Sequence, residues 1–92
     1  MALIIIKKSP REEISKRIIE LAVEGDTILF VQDGVLYAID ETTKEFIKSG
    51  VSVFALKEDL EARGYSESLS LFPCIDYEEW VELIEKNEKI IS

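Results

Sequence analysis

Histidine is absent from this 92-residue chain. That excludes a Ser-His-Asp triad, a Cys-His pair, a phosphohistidine and imidazole ligation of a metal. Cysteine occurs once, at Cys74, so neither an intrachain disulfide nor a CxxC pair can form. A single unpaired thiol suits a reducing compartment, and a cytoplasmic protein is expected. No apolar run approaches the ~18 residues of a membrane span. The run Ala2–Ile6 is followed by Lys7 and Lys8, the reverse of a signal peptide's order. Basic residues are outnumbered 11 to 19, giving a formal charge of −8. Such a surface repels phosphate backbones, so direct nucleic-acid binding is not expected. Also missing are a Gly-rich dinucleotide fingerprint, a P-loop, and paired acids after the first strand-like run, where lysines stand instead. No cofactor and no metal site are expected.

Hydrophobic residues make up 47% of the chain, enough for the core of one domain over residues 1–92. A domain this short buries a modest share of its surface, and oligomerisation is a common remedy. Strand-like and helix-like patterns alternate from end to end, as βαβ units around a parallel sheet require. Leu3–Ile6, Thr27–Val31 and Val51–Ala55 are short β-branched runs of the kind covered on both faces. Ser9-Pro10-Arg11-Glu12 reads as a capping box with proline at the first helical position, opening a helix whose stripe is Ile14, Ile18, Leu21 and Ala22, with Gly25 as its stop. Asp33-Gly34 reads as a turn before a short helix over 35–41, and 57–63 as a charged helix ended by Gly64. A brief extended segment at 73–75 precedes a second capping box, Asp76 with Glu79, and the stripe Tyr77, Trp80, Val81, Ile84. Lys89-Ile90-Ile91 fits an edge strand. The fold class predicted is α/β, a three-layer α/β/α sandwich with a four- to five-stranded, mainly parallel sheet.

Ligands of parallel sheets sit beyond the carboxyl ends of the strands. Those ends carry Lys7 and Lys8, Gln32 and Asp33, Lys57 and Glu58, and Cys74 to Asp76. Cys74, close to a helix start, is a candidate persulfide carrier, because a helix N-terminus lowers a thiol's pKa. Against that, free cysteines mostly serve as small apolar fillers, and Asp76 opposes thiolate formation. Lys7, Lys8 and Asp33 are candidate anion- or ligand-binding residues; solvated lysines and a turn aspartate account for them equally. Phe30, Tyr37, Tyr65, Phe72 and Trp80 are candidate interface aromatics.

Several strings in order, Lys8-Ser9-Pro10, Glu24-Gly25-Asp26, Gln32 to Ala38, Asp59 to Gly64 and Ile75 to Leu83, together resemble the TusB/DsrH family of the DsrE/F/H-like fold. The resemblance covers nearly the whole chain. It implies a role in intracellular sulfur transfer, with DsrE/DsrF-like (TusC/TusD-like) partner subunits and an end point in 2-thiolation of tRNA wobble uridine or in sulfur oxidation. It also implies that the main sulfur-carrying cysteine belongs to a partner. Some members of the DsrH type carry a cysteine in the first helix, where this chain has Ile18. Three roles follow: a non-catalytic docking subunit that forms a homodimer when isolated, a direct carrier using Cys74, or a small anion-binding module.

Overall fold

β-Branched and leucine-rich runs separated by helix-forming segments give a five-stranded, all-parallel sheet in the computed structural model, which describes residues 1–92. The strands are β1 (Ala2–Ile6), β2 (Thr27–Phe30), β3 (Ser52–Leu56), β4 (Cys74–Ile75) and β5 (Lys89–Ile91), in spatial order β4-β3-β2-β1-β5. The helices are α1 (Glu13–Leu21), α2 (Lys57–Ala62) and α3 (Tyr77–Lys86). Two 3-10 segments, Gln32–Ile39 and Glu41–Phe46, replace the short α-helix expected over 35–41.

Handedness explains how the layers are shared. From β1 to β4 the chain steps one way across the sheet, and right-handed crossovers then place every connection on one face. The step from β4 back to β5 runs the other way, so α3 must cover the opposite face. Two clusters result. On the first face Ile4, Ile6, Ile28, Phe30, Val53 and Ala55 pack under Ile19 and Ala22 of α1, the 3-10 residues Val35 and Tyr37, and Leu60 of α2. On the second, Leu3, Ile5, Leu29, Val31, Leu56 and Ile75 meet Trp80 and Leu83 of α3. Burying these strands on both faces is what their continuous apolar runs require.

Local details depart from the sequence reading at four points. Ser9 does not form a capping box: its Oγ accepts from the Arg11 N–H at 3.3 Å, and Glu12 is itself the N-cap of α1. Gly25 does not stop α1, which ends at Leu21; Gly25 lies in the following turn, closed by Asp26 N–H donating to Val23 C=O. The core face of α1 is Ser15, Ile19 and Ala22, while Ile14 and Leu21 are exposed. The α3 stripe likewise splits: Trp80 packs inward and Tyr77, Val81 and Ile84 face solvent. The Asp76–Glu79 capping box is present in both directions, with Glu79 N–H to Asp76 Oδ1 at 2.9 Å and Asp76 N–H to Glu79 Oε1 at 3.2 Å.

Gly34 marks a close approach. Its backbone φ is not positive, yet a Cβ placed there would lie 2.0 Å from the Ile6 carbonyl oxygen. Only hydrogen fits between the segment after β2 and the end of β1.

Candidate functional site

The carboxyl ends of the strands carry polar groups that mostly satisfy one another. Gln32, just beyond β2, holds a left-handed φ of 50°, uncommon for a residue with a side chain. Its N–H donates to Asp59 Oδ2 at 2.6 Å, which offsets the strain of that conformation. Asp33 is paired with Arg63, whose Nε donates at 3.1 Å. Glu58 Oε2 accepts from the Tyr77 N–H at 3.4 Å, at the point where β3 and β4 send their connections to opposite faces. Glu58 Oε1 and the Trp80 indole nitrogen are buried without a hydrogen-bond partner.

Lys7 and Lys8 are exposed, and neither forms an ion pair. They line a cavity of about 140 Å³ together with Ile5, Ile6, Ile14, Ser15, Ile18 and Ser92. Asp33 lines a different, open depression of about 650 Å³ with Ser9, Pro10, Arg11 and Asp40. The structure therefore does not bring the two lysines and Asp33 into one cavity. No cluster of three or more Cys, Asp or Glu side chains has the proximity to hold a metal ion.

Cys74 begins β4 and pairs with Ala55, so it is set by the sheet rather than by the α3 N-terminus. It is half-buried against the first core cluster, among Phe72 and its neighbours. Its Sγ lies 4.0 Å from the Phe72 carbonyl oxygen. Burial pushes the thiol's pKa up; the Ser70 hydroxyl opposes this, and Glu67 and Glu61 add to it. At neutral pH the sulfur is a protonated thiol, the less nucleophilic form.

The candidate interface aromatics divide into two that are fully buried and three that are half-buried. Phe30 and Tyr37 are core, stacked at 5.3 Å between centroids, and the Tyr37 hydroxyl is 2.6 Å from Ser15 Oγ. Tyr65 and Phe72 pack on the first cluster and Trp80 on the second. The apolar groups left to solvent are aliphatic. They lie on Ile14 and Leu21 of α1, Val81 and Ile84 of α3, and Ile90 and Ile91 of β5, between 38% and 74% exposed. Their signal was present in the sequence, as apolar stripes wider than a single core contact needs.

Ile14 and Ile18 share a cavity wall with Ser92, just past β5, so the open flank of α1 faces the β5 side. On α3, Glu79, Glu82, Leu83 and Lys86 line a depression with Phe54 of β3 and Ile75 of β4. Val81 and Ile84 lie on other faces of α3 and are exposed.

Comparison with known proteins agrees with this architecture. The family described as DsrH like protein matches residues 8–90. Protein TusB of Photorhabdus laumondii subsp. laumondii is 38% identical over 87 residues, covering 91% of this chain and 92% of its own. Protein TusB of Serratia proteamaculans is 32% identical over 90 residues, covering 95% of each. The solution NMR structure of Protein Tm0979 from Thermotoga maritima, 37% identical, superposes with a TM-score of 0.77 over 100% of both chains. A second NMR structure of that protein, described there as a proposed sulfur transferase, gives 0.67.

Proposed function

The chain belongs to the DsrH family, and from that premise we propose that it is a docking subunit of an intracellular sulfur relay, without a reactive group of its own. The observation that carries the docking role is the state of Cys74. A sulfur carrier needs an exposed thiolate, whereas this thiol is half-buried, tied into β4 and held protonated by its surroundings. Ile18, where some members of the family keep a cysteine, is an alkyl side chain beside α1's core face. With no histidine, no imidazole base is available to activate a nucleophile.

The partners in this reading are DsrE/DsrF-like (TusC/TusD-like) subunits in the cytoplasm, one of which carries the persulfide. The relay ends in 2-thiolation of tRNA wobble uridine, as the family resemblance implies, and the tRNA is met by the assembly rather than by this acidic chain. No helix is long and apolar enough to cross a membrane.

The test is a reconstitution with a cysteine desulfurase, sulfur-labelled cysteine and DsrE/DsrF-like subunits. The expected label is on a partner cysteine, none is on Cys74, and Cys74→Ser leaves transfer unchanged. A persulfide on Cys74 that is passed on to a partner or acceptor would establish the carrier role instead.

A further inference from the structure

β3 is five residues long and its outer neighbour β4 only two. β4 pairs with Ala55 and Leu56, so Ser52, Val53 and Phe54 have β2 on one side and no strand on the other. Two bonds fix which main-chain groups are left over. Ser52 N–H donates to Asp26 C=O at 3.0 Å, on the β2 side, and Ala55 N–H donates to Pro73 C=O at 3.0 Å, on the β4 side. Alternate residues of a parallel strand aim their main-chain groups the same way, so Val53 follows Ala55, its N–H and C=O both pointing off the edge. The chain leading into β4 cannot meet them. Pro73 has no N–H to give. The Leu71 N–H is turned elsewhere, to the Ala38 carbonyl at 2.7 Å. Beyond Val53 lies an open groove of about 440 Å³, walled by Ile47, Val51, Leu71 and Phe72, with Lys44 as its one charged residue. Lys44 forms no ion pair, on a chain of net charge −8.

We propose that this groove binds a short extended peptide segment of a partner protein, added as a strand against Val53 in the place of β4's missing first half. Its aliphatic side chains lie on the groove walls and a carboxylate meets Lys44. Each part of that description has its own cause. An outward N–H and C=O on one strand residue suit an extended backbone, which offers the matching pair, rather than a helix, whose main-chain groups bond to one another. The walls suit aliphatic side chains at alternate positions. A lone unpaired cation on an acidic chain suits a carboxylate and disfavours a basic segment. The volume falls within the ~300–1,000 Å³ of pockets that bury a ligand. Pro73 closes the ladder at one end, so the added strand is only a few residues long. The inference deepens the docking reading above, from which it takes only that a partner exists; the site itself stands on Val53, the groove and Lys44.

The experiment is fluorescence anisotropy of the full chain against labelled, acetylated and amidated hexapeptides with Val or Ile at alternate positions and one Asp. Saturable binding is expected, with amide exchange slowed at Val53. N-methylating the peptide's alternate amides in one register, and not in the other, is expected to weaken binding about 5- to 10-fold, the loss of one main-chain bond. That comparison leaves the protein untouched. Lys44 is exposed, so Lys44→Glu leaves the fold intact; it is expected to weaken the Asp peptide several-fold and to favour the same peptide with Lys in place of Asp. Leu71→Asp, with folding checked by circular dichroism, is expected to remove binding. No binding at about 1 mM peptide overturns the proposal. So does binding that N-methylation leaves unchanged in both registers, and so does self-association that Leu71→Asp abolishes, which would give the groove to a second copy. The two readings fail separately: a persulfide passed on from Cys74 defeats the docking role without touching the groove, and a groove that binds no peptide leaves the docking role standing.

Discussion

Replacing Gly34 by alanine should damage this fold more than any change at the other helix- or strand-bounding glycines, and the structure sets the scale. The added Cβ would meet the Ile6 carbonyl oxygen at 2.0 Å and its carbon at 2.8 Å. Ordinary contact requires an opening of more than an ångström, and neither side can give it freely. The Ile6 carbonyl accepts the Val31 N–H at 3.0 Å, and Gly34 N–H is itself bonded to Val31 C=O at 2.8 Å. Overpacking costs about 1–3 kcal/mol, and the disturbed hydrogen bond adds about 1 kcal/mol. The total, roughly 2–4 kcal/mol, is a large share of the ~5–14 kcal/mol available to a domain of this length. Gly64 provides the control. It has a φ of 84° with nothing within 4 Å of the added carbon, so Gly64→Ala should cost only the left-handed backbone term, about 1 kcal/mol. Urea unfolding followed by circular dichroism measures both. Equal losses for the two variants, or a loss under about 1.5 kcal/mol for Gly34→Ala, would refute the close-approach argument.

Three further outcomes follow from charge and burial. Burial raises the pKa of both Tyr37 and Cys74 above their ordinary values of 10.0 and 9.0. Both hold protons more tightly folded than unfolded, so stability is intact below about pH 9 and is lost as pH rises through the folded values; Tyr37→Phe should flatten that alkaline limb in urea midpoints taken from pH 8 to 11. Asp26 behaves oppositely: the Val23 N–H, and also the Ala2 N–H, lower its carboxyl. Its contribution is present above pH 3.8 and fades as pH falls through the folded value, so Asp26→Asn should lose the acid dependence in the same assay. Finally, copies of a chain carrying −8 repel, so the homodimer expected of the isolated chain should tighten several-fold between 0.05 and 0.5 M salt in sedimentation; weakening with salt would show that ion pairs hold it.

The runs Leu3–Ile6, Thr27–Val31 and Val51–Ala55 made the central strands legible in the sequence, because a strand covered on both faces has no polar positions to blur it. The Asp76–Glu79 box was legible for a related reason, since capping depends on side chains three residues apart and on nothing distant. The α1 and α3 core faces were not. Each helix carries apolar residues for the core and more on a flank left open, so the centre of the stripe is displaced from the centre of the contact. The 3-10 form of Gln32–Ile39 was hidden as well, because it answers to the Ile6 backbone that Gly34 approaches. At the candidate site, sequence spacing grouped Lys7, Lys8 and Asp33 by their place at strand ends. It did not show that Arg63, thirty residues on, claims Asp33. Asp26, joining Val23 to Ala2, gave no signal beyond its Glu-Gly-Asp string.

The pairing of β5 with β1 carries a consequence for folding. It brings together segments more than eighty residues apart, the longest loop closure in the sheet, whereas β1, β2 and β3 join neighbours in the chain. Entropy therefore makes this rim the slowest part of the sheet to assemble.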